Sequence, residues 1–232
     1  MGTFGGSQDH TAILGSKNSH LSQFSFAPVR HEKDIFIPSE YCFVIGVSGV
    51  ISEKTGGAKE KYNQVSLMVS DILNKWNGHE NTLAQIIENV GIEELKNFIS
   101  ENSFSFPNQD LLNRIEQFHT ESFIIIPQVS KYLERNQYEK IGDLIDLSQQ
   151  NAEKFLQNQT VETVYLQRSA RKIGAIAASA FGAGFGGSVY ALVKISESRN
   201  FCDEWENIYL KQFPQLAKNT KFFQTTLSSS KF

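Results

Sequence analysis

Hydrophobic and polar residues follow strand-like patterns near both ends of the chain. Residues 21–29 and 34–37 alternate loosely between the two kinds, which predicts two strands joined as a hairpin. The continuous apolar run YCFVIGV at 41–47 predicts a strand that is buried on both faces. Runs rich in β-branched and aromatic residues predict two further strands at 188–195 and 221–227.

In the middle of the chain, apolar residues recur three or four positions apart, which is typical of amphipathic helices. A short helix is also predicted at 9–14, ended by Gly15 in a left-handed cap, and Pro127 is expected to kink a central helix. Strands at both ends with a helical middle predict an α+β sandwich rather than a doubly wound sheet. The other predicted helices span 53–76, 81–88, 92–100, 110–136, 137–157, 161–174 and 201–213.

The composition narrows the class of protein. The 232 residues suffice for one large domain, or for one domain and part of another, and a net charge of -3 argues against nucleic-acid and acidic-membrane binding. No apolar run reaches the roughly 18 residues of a membrane helix. Cys42 and Cys202 match neither a disulfide framework nor a metal site, so a cytoplasmic protein with free thiols is expected. Most of the 18 phenylalanines are expected in the core.

A glycine-rich turn, GAGFGG at 182–187, is the most conspicuous candidate for chemistry. Glycines let a backbone pass close to another group, and two interpretations are open: an approach to a phosphate or sugar, or tight packing inside the protein. Rossmann and Walker glycine motifs follow a strand and open a helix, whereas this turn is predicted to follow a helix and open a strand. Dinucleotide binding is therefore disfavoured.

Individual polar residues are less specific signals. Asp9 is suited to accept a proton from a substrate hydroxyl, or simply to interact with the N-terminus of its helix. Tyr62 and Asn63 are suited to a polyol ligand, or to a half-buried helix face. The five histidines show no pairing typical of a hydrolase triad or a zinc site, so no metal site is predicted within the chain.

Taken together, these segments resemble the GHMP kinases, especially the galactokinase branch. The resemblance identifies Asp9 as the catalytic residue, Gly6, Asp9 and Tyr62 as sugar-binding residues, and Gly182, Gly184, Gly186 and Gly187 as a nucleotide-side loop. The segments that carry it are GTFGGSQDH at 2–10, VIGVSGVISEKTGGAKEKYN at 44–63, NQTVET at 158–163 and SAFGAGFGGSVYALV at 179–193.

The same resemblance implies how the chain is organised. Residues 1–40 would be a remnant of the N-terminal kinase domain, and residues 41–232 the GHMP kinase C-terminal domain. The family's phosphate loop and Mg-coordinating residues are expected upstream of Gly2, so ATP and Mg would be bound mainly outside this chain. The isolated chain is expected to be inactive, and to self-associate through apolar surface on residues 1–40.

Two departures from the family pattern bear on the substrate. His10 replaces the usual glutamine after the catalytic aspartate, and Val65 occupies the position of an arginine that commonly follows the Tyr-Asn pair. The implied reaction is transfer of the γ-phosphoryl of ATP to a sugar hydroxyl, the anomeric one if the likeness to galactokinase is faithful. Galactose, another monosaccharide or a related polyol remain open, as does a noncatalytic sugar sensor or interaction protein on the same scaffold.

Overall fold

The N-terminal region forms a helix and a β-hairpin. The structure, a computed structural model, describes residue 6 and residues 8–51 and 57–225, without the side chains of Asp9 and of residues 57–62. Helix α1 (Gln8–Gly15) precedes an antiparallel hairpin of β1 (His20–Phe26) and β2 (Val29–Phe36). These elements confirm the predicted short helix and hairpin.

The predicted left-handed cap at Gly15 is wrong. Gly15 is the last residue of α1 and does not have a positive φ. A Cβ at this position would lie 2.6 Å from the ring of Phe24 in β1. A larger residue at this position would therefore require the ring of Phe24 to shift.

A second sheet of four strands forms the centre of the larger unit. Its order is β4-β5-β3-β6, with each neighbouring pair antiparallel, so β3 is an inner strand as its apolar sequence indicates. One face of β3 is fully buried, and the opposite face is only half-buried, which corrects the prediction of burial on both faces. The strands are β3 (Tyr41–Val47), β4 (Ala177–Phe181), β5 (Ser188–Lys194) and β6 (Lys221–Thr225).

The middle of the chain is helical, so the chain has the predicted α+β fold. Gly91, with a φ of 85°, separates two of the helices as expected. No helix in the described part is both long and apolar enough to cross a membrane. The helices are α2 (Gly57–Lys75), α3 (Leu83–Val90), α4 (Ile92–Glu101), α5 (Asn108–His119), α6 (Ile126–Glu134), α7 (Gly142–Asn151), α8 (Val161–Lys172) and α9 (Ser198–Gln212).

Pro127 is accommodated by a widened helical turn. Residues Thr120–Ile125 form a π-helical turn between α5 and α6, and the N–H of Ile126 donates to the carbonyl of Glu121. Proline lacks the N–H of a helical residue, and its ring clashes with the carbonyl four residues earlier in a regular α-helix. The longer repeat of the π turn allows the helix to continue through this position.

Three apolar clusters hold the fold together. One lies between the sheet and helices α8 and α9, a second among helices α2 to α5, and a third between the other sheet face, the hairpin, α6 and α7. Among the phenylalanines that the structure describes, only Phe201 is fully buried, so the prediction of a phenylalanine core is wrong. Aliphatic side chains, together with Trp205 and Tyr209 of α9, fill the cluster centres, and partly buried phenylalanine rings pack around them. Cys42 and Cys202 are free thiols, as predicted, and both are buried.

A buried hydrogen bond attaches the end of β3 to α9. The hydroxyl of Tyr209 donates to the carbonyl of Ser48 over 2.7 Å, and both residues are fully buried. We expect Tyr209→Phe to lower the free energy of unfolding by about 1–2 kcal/mol, because it leaves this carbonyl buried without its donor. Chemical denaturation of the chain measures the change.

Tyr165→Phe is the matched control for this variant. Tyr165 packs beside Tyr209 with a ring-centroid distance of 6.4 Å, and no hydrogen bond of its hydroxyl occurs within the described part of the chain. Its loss should leave stability within about 0.5 kcal/mol. Equal losses in the two variants would show that the Tyr209–Ser48 bond contributes nothing specific.

Candidate active site

A cleft of about 780 Å³ lies between the N-terminal elements and the β4–β5 connection. Helix α1 and the hairpin form one side, and the glycine-rich segment 182–187 forms the other. The cleft therefore brings together two segments that are more than 150 residues apart in sequence. Its lining residues are Gly6, Gln8, Thr11, Ala12, Ser16, Ser22, Phe24, Ser25, Phe26, Val29, Phe181, Gly182, Ala183, Gly184, Gly186, Gly187 and Ser188.

The glycine-rich segment is the loop of a β-hairpin. It connects β4 to β5, so the prediction that it follows a helix is wrong. The alanines of β4 suggest a helix by propensity, but Ala177 and Ala178 are fully buried in a strand where their small size lets the sheet pack closely on its neighbours. A loop between two strands is still unlike the Rossmann and Walker motifs, which open a helix.

The glycines of this loop serve different purposes. All four predicted positions, Gly182, Gly184, Gly186 and Gly187, have positive φ values between 84° and 122°. A Cβ added at Gly182 or Gly187 would meet nothing within 4 Å, so these two positions leave open space in the cleft. A Cβ at Gly184 would instead clash with the carbonyl oxygen of Asn158. Gly184 is therefore required by tight packing, whereas the approach of a phosphate or sugar to Gly182 and Gly187 stays a prediction.

The loop is held by hydrogen bonds from two sides. On one side, the N–H of Ser48 donates to Gly187 over 2.9 Å, and the N–H of Gly187 donates to Val50 over 3.0 Å. On the other, the N–H of Phe185 donates to the carbonyl of Asn158 over 2.5 Å. Sequence reasoning assigned no role to Ser48 or Asn158, although both lie in segments that carry the family resemblance.

The other predicted site residues are placed to different degrees. Gly6 lines the cleft, and a Cβ there would lie 2.8 Å from the ring of Phe26. Asp9 lies in the first turn of α1, one residue after the cleft-lining Gln8, but its side chain is outside the described residues. Tyr62 belongs to α2, and its side chain is also outside them. The roles of Asp9 and Tyr62 therefore stay predictions.

Comparison with known proteins gives one family-model match and a strong fold match. The family model described as "GHMP kinases C terminal" matches residues 129–211. A crystal structure of Lactococcus lactis galactokinase complexed with galactose matches with a TM-score of 0.75 at 19% identity, covering 97% of this chain and 55% of that one. The fold of the chain is thus similar to that of a galactokinase, and part of its sequence matches the GHMP kinase C-terminal model.

The family-model match and the fold match agree with the resemblance that the sequence segments indicated. The galactokinase-like region spans only 55% of the length of the galactokinase, and at 19% identity the likeness concerns the fold alone. L. major mevalonate kinase in complex with R-mevalonate matches with a TM-score of 0.45 and 15% identity, covering 91% of this chain and 49% of that one. No curated protein matches the sequence.

The cleft is uncharged on its described surface. Three phenylalanines, Phe24, Phe26 and Phe181, supply apolar rings, and Phe26 and Phe181 are 70% and 48% exposed. Serine and threonine hydroxyls and the loop backbone supply the polar groups. Neither lysine nor arginine lines the cleft within the described residues, and no cluster of three metal-ligating side chains occurs among them. The charges of a bound phosphate would have to be balanced from elsewhere.

The buried carboxyl group of Glu121 lies near Tyr190 in β5. Glu121, in the π-helical turn, has one buried carboxyl oxygen without a hydrogen-bond partner in the described structure. Burial raises the pKa of Glu121, and a hydrogen bond from Ser148 partly opposes this. Burial, with a smaller effect from Glu121, also raises the pKa of Tyr190, whose ring lies 6.3 Å from that of the cleft residue Phe181.

The raised pKa of Glu121 predicts a pH-dependent cost to stability. Because the folded pKa exceeds the unfolded one, stability falls as the pH rises through the folded pKa and the buried carboxyl ionises. Glu121→Gln should therefore raise the free energy of unfolding at pH 8 by about 1 kcal/mol or more, and this gain should shrink below pH 4.5. Thermal unfolding across this pH range measures it, with the exposed Glu88→Gln as control. A gain independent of pH would refute the explanation.

Proposed function

We propose that the protein is a small-molecule kinase that transfers the γ-phosphoryl group of ATP to a hydroxyl of a monosaccharide. The observation that carries the proposal is the shared cleft, which is lined by Gly6 and α1 on one side and by the 182–187 loop on the other. Two of the segments that resemble galactokinase face each other there. The anomeric hydroxyl is the favoured acceptor, because the sequence segments resemble the galactokinase branch and the fold is similar to that of a galactokinase.

Asp9 is the proposed catalytic residue. Its carboxylate would accept the proton of the attacking sugar hydroxyl, or orient that hydroxyl electrostatically, in a reaction where positioning and charge stabilisation supply most of the catalysis. Its place in α1, next to Gln8 at the cleft, supports this role. Tyr62 would contact the sugar from the start of α2.

The glycine loop would form the wall on the nucleotide side. Gly182 and Gly187 have open space where a side chain would stand, so a phosphate group can approach their backbone closely. ATP supplies the phosphoryl group, and Mg would neutralise its charge. The resemblance to the family assigns the phosphate loop and the Mg ligands to a part of the protein upstream of Gly2.

Exposed apolar side chains support assigning residues 1–40 to an N-terminal kinase domain. Ile13 and Leu14 on α1 are 81% and 86% exposed, and Phe26, Val29 and Phe36 on the hairpin are also exposed. The hairpin is a sheet of only two strands, which rarely is stable without further packing. A surface of this kind fits contact with more of that domain, and in its absence self-association of the chain.

Titration calorimetry of the 232-residue chain with ATP tests whether ATP is bound mainly outside this chain. We expect no binding at micromolar concentration, because the chain would hold only some of the residues that bind ATP. Micromolar ATP binding by this chain would refute the proposal that ATP is bound mainly outside it. The coding sequence upstream of Gly2 gives an independent check, since the proposal requires an intact phosphate loop there.

A noncatalytic sugar sensor is the second candidate. Such a protein would bind a sugar on the same scaffold without transferring phosphate, and Val65 in place of an arginine leaves the identity of that sugar open. Asp9 speaks against it, because a sensor does not need a base. A degraded phosphate loop upstream of Gly2, together with sugar binding without turnover, would decide for the sensor.

A further inference from the structure

We propose that Asn158 is a positioning residue that fixes the conformation of the glycine loop from behind. It lies on the short segment between α7 and α8, across the loop from Ser48 and Val50. The proposal for the loop's shape stands on contacts within this chain. Its consequence for catalysis rests on the proposed function.

Asn158 contacts three consecutive residues of the loop. Its backbone carbonyl accepts the N–H of Phe185 over 2.5 Å, and its side-chain amide donates to the carbonyl of Ala183 over 3.3 Å. Gly184, between these two, is fully buried, and the Cβ and Cγ atoms of Asn158 lie 2.9 and 2.8 Å from where a Gly184 Cβ would stand. Asn158 thus contacts the loop by one backbone hydrogen bond, one side-chain hydrogen bond and a close approach to Gly184.

Backbone strain on both sides of this contact supports a functional role. Phe185 has a φ of 60° and Gln157 a φ of 50°, and neither is a glycine. Residues in the left-handed region cost about 1–3 kcal/mol each and persist where the surroundings impose them, commonly at functional sites. The hydrogen bond from Phe185 to Asn158 joins these two strained stretches of backbone.

Asn158 is itself held in place by the start of α8. Its side-chain oxygen accepts a hydrogen bond from Gln159 over 3.0 Å, and Gln159 in turn accepts one from the hydroxyl of the buried Thr163. Thr160 and Thr163 form a reciprocal capping box that fixes the first turn of this helix. The loop therefore takes its conformation from a capped helix terminus, which is a rigid element.

This arrangement has a consequence for ligand binding. Ala183, Gly184 and Gly186 line the cleft from the same loop whose rear is attached to Asn158. A loop already held in its binding conformation loses less conformational freedom when a ligand binds. Removing the side-chain attachment should therefore weaken the interaction with the nucleotide and leave that with the sugar unchanged.

Asn158→Ala and the isosteric Asn158→Asp test the proposal. Both keep the backbone carbonyl, and neither can donate to Ala183. In the 232-residue chain, we expect the amide of Phe185 to exchange hydrogen about three to ten times faster in both variants, the effect of losing one hydrogen bond. In the full-length protein, kcat/KM for ATP should fall about tenfold, with the KM for the sugar changed less than about twofold.

The outcomes separate the inference from the proposed function. Asn89→Ala, which removes an exposed amide hydrogen bond on α3, is the control and should change neither measurement. Unchanged exchange in both Asn158 variants would overturn the proposal, as would faster exchange with an unchanged kcat/KM for ATP in an active enzyme. If the full-length wild type phosphorylates no sugar, the proposed function fails, and the exchange rates still decide whether Asn158 holds the loop.

Discussion

Asp9→Asn in the full-length protein is expected to lower kcat for sugar phosphorylation by about 100- to 10,000-fold, the usual contribution of a general base. Asparagine keeps the size of the side chain but neither accepts the proton of the sugar hydroxyl nor carries a negative charge. The KM for the sugar should change little, because the residue acts mainly in the transition state. A coupled assay of ATP consumption, read together with thermal unfolding of the variant, measures the loss.

Asp203→Asn is the matched control for this variant. Asp203 is an exposed carboxylate on α9, away from the cleft-lining segments, so its neutralisation should leave kcat unchanged. A wild-type kcat in Asp9→Asn would remove the catalytic role from Asp9. The protein would then be a kinase with another base, or one that needs none.

Gly184→Ala is expected to cause the second largest effect, a loss of about 3 kcal/mol in the free energy of unfolding. A positive φ costs an alanine about 1–2 kcal/mol, and overpacking in a closed space costs about 1–3 kcal/mol more. The φ of Gly184 is 84°, and its neighbour Asn158 is held by α8 and does not move away easily. The melting temperature should fall by roughly 6–12 °C.

Gly182→Ala separates the two causes within the same loop. Gly182 has the same φ of 84°, but a Cβ there meets nothing within 4 Å. This variant should lose only about 1–2 kcal/mol, the conformational part of the cost. Differential scanning calorimetry of both variants is sufficient. Equal losses would mean that contact with Asn158 does not constrain the loop.

Much of the fold follows from local sequence patterns. The apolar run at β3 and the periodic apolar residues of the helices predict these elements without knowledge of tertiary contacts. Gly91 marks the boundary between α3 and α4. The sequence indicates that Pro127 disturbs the helix, but it does not indicate the form of the disturbance. The chain resolves the missing N–H by a π-helical turn before the proline, and the choice between a kink and a widened turn depends on tertiary packing.

The candidate site could be predicted only in part. Sequence identified the glycine loop and Gly6, and the fold places both at one cleft. It could not show that β4 is a strand, because Ala177 and Ala178 favour helix unless a sheet buries them. Nor could it distinguish Gly184, which is required by packing, from Gly182 and Gly187, which leave the cleft open. That distinction depends on Asn158, 26 residues before Gly184 in the sequence.

Sugar-dependent ATP consumption by the full-length protein is the measurement that decides whether the protein phosphorylates a monosaccharide. We expect at least one sugar in a panel of monosaccharides to stimulate ADP release. The product should give a sugar phosphate signal by phosphorus NMR, and Asp9→Asn should abolish the stimulation. If no sugar supports turnover although an intact phosphate loop lies upstream of Gly2, the assignment of this chain to a sugar kinase is contradicted.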